Sequence, residues 1–142
     1  MKKLLTFATL SLVSGLSLTG CGNATIGVDN PDDSQGNYTM GALESRYAAK
    51  SDDYIENVFN ATKKALDDLK YFRTGETPGK DRITVYARAH GDLQITVDIY
   101  KKIIETKEGQ KQQWVYVAVR YGTWGNCQQS QQIVSKISAN LR

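Results

Sequence analysis

Few residues in this chain have both the type and the setting to do chemistry. It holds one histidine and two cysteines in 142 residues, too few soft ligands for a zinc site of the usual kind. No metal and no cofactor is implied. His90 stands in Ala89-His90-Gly91-Asp92, a tight turn where histidine tolerates left-handed backbone angles. A general base needs a substrate pocket and a partner that orients it, and Asp92, the nearest carboxylate, is itself a turn residue. Turn filler is the favoured role. Cys127 follows Asn126, a helix-capping type, so its thiol falls in a first helical turn where the dipole favours thiolate. That makes a small thiol-dependent enzyme, redox or acyl-transfer, the competing class; packing beneath the Trp124 turn is the plainer role. Gly122-x-x-Gly125 outlines an anion-holding loop before the same helix, but the lysine and other glycines of a phosphate loop are missing. The glycines are read as permitting a tight strand-to-helix turn. No residue is assigned as catalytic, and the chain is not expected to be an enzyme.

Cys21 is the residue whose surroundings prescribe a reaction. Met1-Lys2-Lys3 is a short basic head, and an apolar run from Leu4 to Leu18 follows it. Basic head, apolar middle and small residues before a processing point make a secretory signal. The run falls short of the ~18 consecutive apolar residues of a spanning helix. Leu18-Thr19-Gly20-Cys21 resembles the lipobox of bacterial lipoprotein precursors, where a leucine and two small residues precede an invariant cysteine. The resemblance implies a diacylglyceryl group on the Cys21 thiol, then cleavage that makes Cys21 the first residue. One acyl chain holds only marginally, so lasting attachment takes two or three. Gly22 stands where an aspartate would favour inner-membrane retention in enteric bacteria. The expected address is therefore the cell envelope, on the periplasmic leaflet of an outer membrane where the cell has one.

Loss of residues 1–20 removes Lys2 and Lys3 and brings the formal charge from +3 to about +1. No footprint for nucleic acid remains. The arithmetic leaves no second cysteine for Cys127, and no disulfide framework is expected. A chain of this size suits one domain with one modest core. Residues 21–37 are mostly Gly, Asn, Asp, Ser and Gln around Pro31, which reads as a lipidated cysteine and flexible tether. Asn30-Pro31-Asp32-Asp33 looks like a local turn, its aspartates solvated linker charge. The domain then spans 38–142.

Within it, Tyr38–Tyr47 is a predicted first strand with Gly41 as a bulge or close-approach point. Ser51 is a predicted cap for a helix over 52–70, whose apolar face is Ile55, Val58, Phe59, Thr62, Ala65, Leu66 and Leu69. Residues 74–80, with Gly75, Pro78 and Gly79, read as a loop. Ile83, Val85, Ala87 and Ala89 alternate along one strand, and Leu93, Ile95, Val97 and Ile99 along the next, as a hairpin. A polar reversal over 105–112 leads to a strand over 114–121 with Val115, Val117 and Val119 inward. Asn126 caps a final helix, with Gln129 placed for a reciprocal capping bond and Ile133, Val134, Ile137 and Leu141 as its stripe. The expected fold is α+β: an antiparallel sheet of about four strands with two helices on one face, in the order β-α-β-β-β-α.

The outward positions of those strands carry the binding signal. Arg82, Thr84, Tyr86 and Arg88 share one side of the first hairpin strand; Gln94, Thr96, Asp98 and Tyr100 share one side of the second. Trp114, Tyr116, Ala118 and Arg120 follow on the last. Aromatic rings among arginines suit stacking on sugars or bases, or burial against a protein; the same residues also have high β-propensity. Tyr86, Arg88, Tyr100, Trp114, Tyr116 and Arg120 form the candidate binding face. The expected function is a non-catalytic, membrane-tethered envelope module contacting an envelope protein, its own copy or peptidoglycan. A lipid-binding module is a further alternative, on fold analogy alone.

Val117-Ala118-Val119-Arg120-Tyr121-Gly122-Thr123-Trp124-Gly125-Asn126, followed by a helix with Ser130, Ile133 and Ile137, resembles the ending of small bacterial lipoproteins that carry a domain of unknown function. Their last strand ends Arg-x-Gly-x-x-Gly, usually with an acidic residue next, and runs into a C-terminal helix. The likeness extends back to Gly41-Ala42-Leu43 and the first helix. Asn126 replaces the acid, though both types cap helices. The resemblance implies a fold and an address, and no activity.

Overall fold

The computed structural model describes residues 22–142; the signal peptide over 1–20 and the lipidation of Cys21 lie outside the described residues. The elements run β1 (Ala24–Gly27), β2 (Gln35–Thr39), β3 (Ala42–Ala48), α1 (Tyr54–Asp68), β4 (Phe72–Thr77), β5 (Arg82–Ala89), β6 (Leu93–Glu105), β7 (Lys111–Tyr121) and α2 (Cys127–Leu141). The strands make one antiparallel sheet in the order β1-β2-β3-β7-β6-β5-β4.

Alternation builds the centre of this sheet. Val85 pairs with Val97, Val97 with Val119, and Val119 with Leu43, so a row of apolar side chains crosses four strands on one face. All four are essentially buried. Both helices lie over that face, against each other and against the strands. From α1 come Ile55, Val58, Thr62 and Ala65, at three- and four-residue steps, with Leu66 beside them; from α2 come Ile133, Val134 and Ile137. Tyr47 joins the layers: it is buried on β3, and its hydroxyl lies 2.9 Å from Ser138 Oγ on α2. Burial pushes its phenol well above the ordinary range, because a phenolate there would be desolvated.

The sheet therefore has seven strands and the order β-β-β-α-β-β-β-β-α, not about four strands in the order β-α-β-β-β-α. Three strands escape the hydropathy pattern. β1 and β2 fall in the segment whose composition reads as tether. Side chains tie the loop between them to β3: the Asn30 amide donates to Ser45 Oγ and the Arg46 carbonyl, both at 2.8 Å. The aspartates are not solvated linker charge. Asp32 accepts the Ala48 amide at 3.1 Å, and Asp33 pairs with Arg46 at 2.8 Å. The predicted strand over 38–47 is a hairpin turning at Met40-Gly41. β4 lies where a loop is predicted over 74–80; all six of its residues are exposed, so no burial alternation marks it.

Two caps also differ from expectation. Asp53, not Ser51, precedes α1, and the Ser51 hydroxyl donates to its carboxylate at 2.7 Å. Asn126 does cap α2, accepting the Gln129 amide at 3.1 Å. The Gln129 side chain instead accepts from the Tyr71 hydroxyl at 3.2 Å, so the bond is not reciprocated.

Where β7 hands over to α2, the chain touches the β2–β3 turn backbone to backbone. Gly41 (φ 83°) and Gly125 (φ 81°) are both left-handed. A β-carbon on Gly125 would collide with the Gly41 carbonyl oxygen and stand 2.5 Å from Tyr38 Oη. Gly91 (φ 79°) has the same backbone and nothing within 4 Å of its missing β-carbon. Gly91→Ala should thus cost only the left-handed penalty, about 1–2 kcal/mol. Gly125→Ala should cost about 1–3 kcal/mol more for the overpacking. Urea unfolding of the two variants checks this; equal losses would show that the close approach carries no weight.

Candidate functional site: the helix-free sheet face

With both helices on one face, the other carries the alternate residues of every central strand. Register sorts them into rows. Arg46 pairs with Tyr116, Tyr116 with Tyr100 and Tyr100 with Arg82, giving a cation–ring–ring–cation row across β3, β7, β6 and β5. The two tyrosines stack at 5.3 Å between centroids and 17° between planes. The Arg82 guanidinium lies 5.3 Å from the Tyr100 ring and Lys102 Nζ 5.3 Å from the Tyr116 ring. Arg46 reaches along the sheet to Trp114, 4.5 Å from its ring. Such contacts contribute about 0.5–1 kcal/mol each at exposed sites.

Carboxylates hold the cations in place. Asp98 accepts from Arg82 and, at 3.1 Å, from Thr84 Oγ1. Asp33 takes Arg46, and Glu44 accepts the Tyr100 hydroxyl. The Tyr116 hydroxyl, and then Asp33, keep the Arg46 guanidinium charged against a burial penalty. Burial first, and the Glu44 carboxylate next, push the Tyr100 phenol well above its ordinary value. Because its folded value is raised, the stabilisation by neutral Tyr100 is complete below ~10, the ordinary tyrosine pKa. It declines as pH climbs from there through the raised folded value. Beside the row, a polar groove of about 440 Å³ runs between Asp33, Glu44, Arg46, Lys102 and Tyr116.

The candidate face is thus divided. Tyr100, Trp114 and Tyr116 come together around cations. Tyr86 and Arg120 lie two rows further toward the turns, beyond the row of Thr84, Asp98 and Ala118, each opposite Thr96 on its own side of β6. Arg88 sits at the end of β5, where it donates to the Asp92 carboxylate and carbonyl, each at 3.1 Å. Glu44, Arg46 and Lys102 were missed. The first two could have been found from Leu43 and Tyr47, whose inward positions turn 44 and 46 outward.

The remaining candidates resolve separately. His90 is exposed, and its turn takes left-handed angles at Gly91 and Asp92 rather than at the histidine. Cys127 opens α2, but it is not a free thiol, contrary to the expectation that no second cysteine remains for it. Among the described residues, no group of three or more His, Cys, Asp or Glu is placed to hold a metal. No described helix is long and apolar enough to cross a membrane.

One antiparallel sheet, helices on one face and an ion-clad aromatic row on the other, defines an open-faced two-layer module. The chain belongs to the family described as a protein of unknown function (DUF3568), whose model matches residues 3–140. No curated protein matches it.

Tyr116 is only 7% exposed although no backbone layer covers it; its neighbours' side chains do. Tyr116→Ala should therefore cost about 2–4 kcal/mol, approaching a core aromatic truncation. Tyr86→Ala, half-buried two rows away, should cost about 1 kcal/mol, as cross-strand pairs do. Chemical denaturation tests the ranking, and a Tyr86 loss equal to that of Tyr116 would contradict it.

Proposed function

We propose that this protein is a lipid-anchored module of the bacterial cell envelope, non-catalytic, whose helix-free sheet face contacts another envelope protein. Two observations support it. Leu18-Thr19-Gly20-Cys21 has the residues of a lipobox behind a secretory signal, and the central sheet keeps one face clear of both helices. The chemistry of that face favours a protein over peptidoglycan. Sugar rings stack on open aromatic faces, whereas Tyr100 and Tyr116 face each other and carry Arg82 and Lys102. What remains outward is a mosaic of hydroxyl, carboxylate and guanidinium groups around partly buried rings, the make-up of a polar-rimmed protein contact.

The two halves of the proposal are tested separately. Metabolic labelling with a clickable fatty acid should tag the wild type, and Cys21→Ala should abolish the tag. The chain has two cysteines, and a sulfur held in a thioether cannot also join a disulfide. Non-reducing mass spectrometry should therefore find the diacylglyceryl group on Cys21; a Cys21–Cys127 disulfide in the exported protein would overturn the anchor. For the face, a photo-crosslinking phenylalanine derivative at Tyr86 should give a discrete protein adduct in living cells. The same residue at Asn57, exposed on α1, should not. Matching adducts from both positions would remove the sheet face from the proposal.

A further inference from the structure

Five large apolar side chains are well exposed among the described residues, and four of them lie at one end of the sheet. Met40 (80% exposed) is in the β2–β3 turn and Trp124 (90%) in the β7–α2 turn; Leu93 begins β6 and Phe72 (72%) begins β4. These turns are neighbours. A β-carbon on Gly41 would stand 2.8 Å from the Trp124 carbonyl oxygen, and one on Gly122 would stand 3.8 Å from Leu93 Cδ2. Phe72 pairs with Arg88, one residue before Ala89, the partner of Leu93. Four strand-to-strand steps separate β3 from β4, so the rim spans about 20 Å. The opposite end is charged: Asp29, Asp32, Asp33, Lys80, Lys107 and Glu108 lie in its loops.

The chain enters at the apolar end. Asn23 Oδ1 accepts the Met40 amide at 3.3 Å, and Cys21 is two residues upstream of Asn23. Two extended residues reach at most about 7 Å. A lipid on Cys21 would therefore hold this rim, and no other part of the sheet, within reach of the headgroups.

We infer that the Met40–Trp124 end of the sheet rests on the phospholipid surface, with the Trp124 ring at the boundary between headgroups and acyl chains. The inference rests on the lipid anchor proposed above and adds an orientation to it. Indole suits that boundary because one edge is apolar and its N–H reaches water. Met40 and Phe72 add apolar area, and Lys70 and Arg120, basic groups at this end, suit anionic headgroups. Trp114 pairs with Ala48, at the far end of β3, and would stand clear of the bilayer.

The two tryptophans thus report opposite ends of the molecule. The full lipidated chain is reconstituted in phosphatidylethanolamine–phosphatidylglycerol vesicles, with and without brominated phosphatidylcholine, as Trp114→Phe and as Trp124→Phe. Insertion to ~5–10 Å should cost the Trp124 signal about half its emission with brominated lipid, and leave the Trp114 signal nearly unchanged. Should Trp114→Phe fold poorly, wild type against Trp124→Phe still decides, because the quenching seen in wild type must vanish. Protein that floats with the vesicles but shows no quenching of Trp124 would overturn the orientation and leave the anchor standing. Protein that does not float overturns both.

Discussion

Gly125 lies with its backbone against the backbone of Gly41, and the path of the C-terminal third follows from that contact. β3 and β7 are adjacent in the sheet although more than sixty residues separate them in sequence. The contact lets the chain leave β7, turn sharply past the β2–β3 hairpin and enter α2 over β3 and β7. Asn126 then caps α2, and Tyr47 meets Ser138 beneath it. Any side chain at the crossing would push the start of α2 away from the sheet and open the layer that Ile133, Val134 and Ile137 fill. The likeness noted in sequence, Gly41-Ala42-Leu43 with Arg120-x-Gly122-x-x-Gly125, becomes one spatial unit at this crossing.

The other face shows how a sheet can do without a second layer. Water would penetrate between bare strands whose rings stood upright. Here the rings lie against one another and long basic side chains lie over them, their aliphatic stems covering apolar surface while the charged heads stay wet. Asp33, Glu44 and Asp98 fix the heads and phenols at the row's edges. Each pair is individually weak in water. Together they exclude solvent from Tyr116 about as well as a helix would.

Legibility in the sequence followed burial. Ile83, Val85, Ala87 and Ala89 have hydrophilic neighbours and a helix-covered side, so their strand could be placed from period alone. In β4, Phe72–Thr77, both sides face water, and a strand held only by backbone bonds to β5 leaves no period to read. The tether reading failed for another reason: Asn30, Asp32 and Asp33 are linker-type residues used as long-range partners, fifteen, sixteen and thirteen positions from their acceptors and donors. For the candidate face, alternation alone assigned Tyr100, Trp114 and Tyr116 to the side where they lie. Which of them touch depends on register, and register was set by pairings of β7 with β3 that no local pattern encodes. Hence Arg46 and Glu44 were overlooked and Tyr116 was expected to be more open than it is.

The sheet has two unpaired borders, and each is poor ground for adding another strand. β1 offers only four residues, Ala24–Gly27. β4 is longer, but its ladder with β5 slips between Arg73 and Gly75, and it carries the charged residues Arg73 and Glu76. A slipped, charged border twists away from the straight line that an incoming chain would need. A sheet with long flat borders is open to pairing edge to edge with its neighbours, and here one border is short and the other slipped.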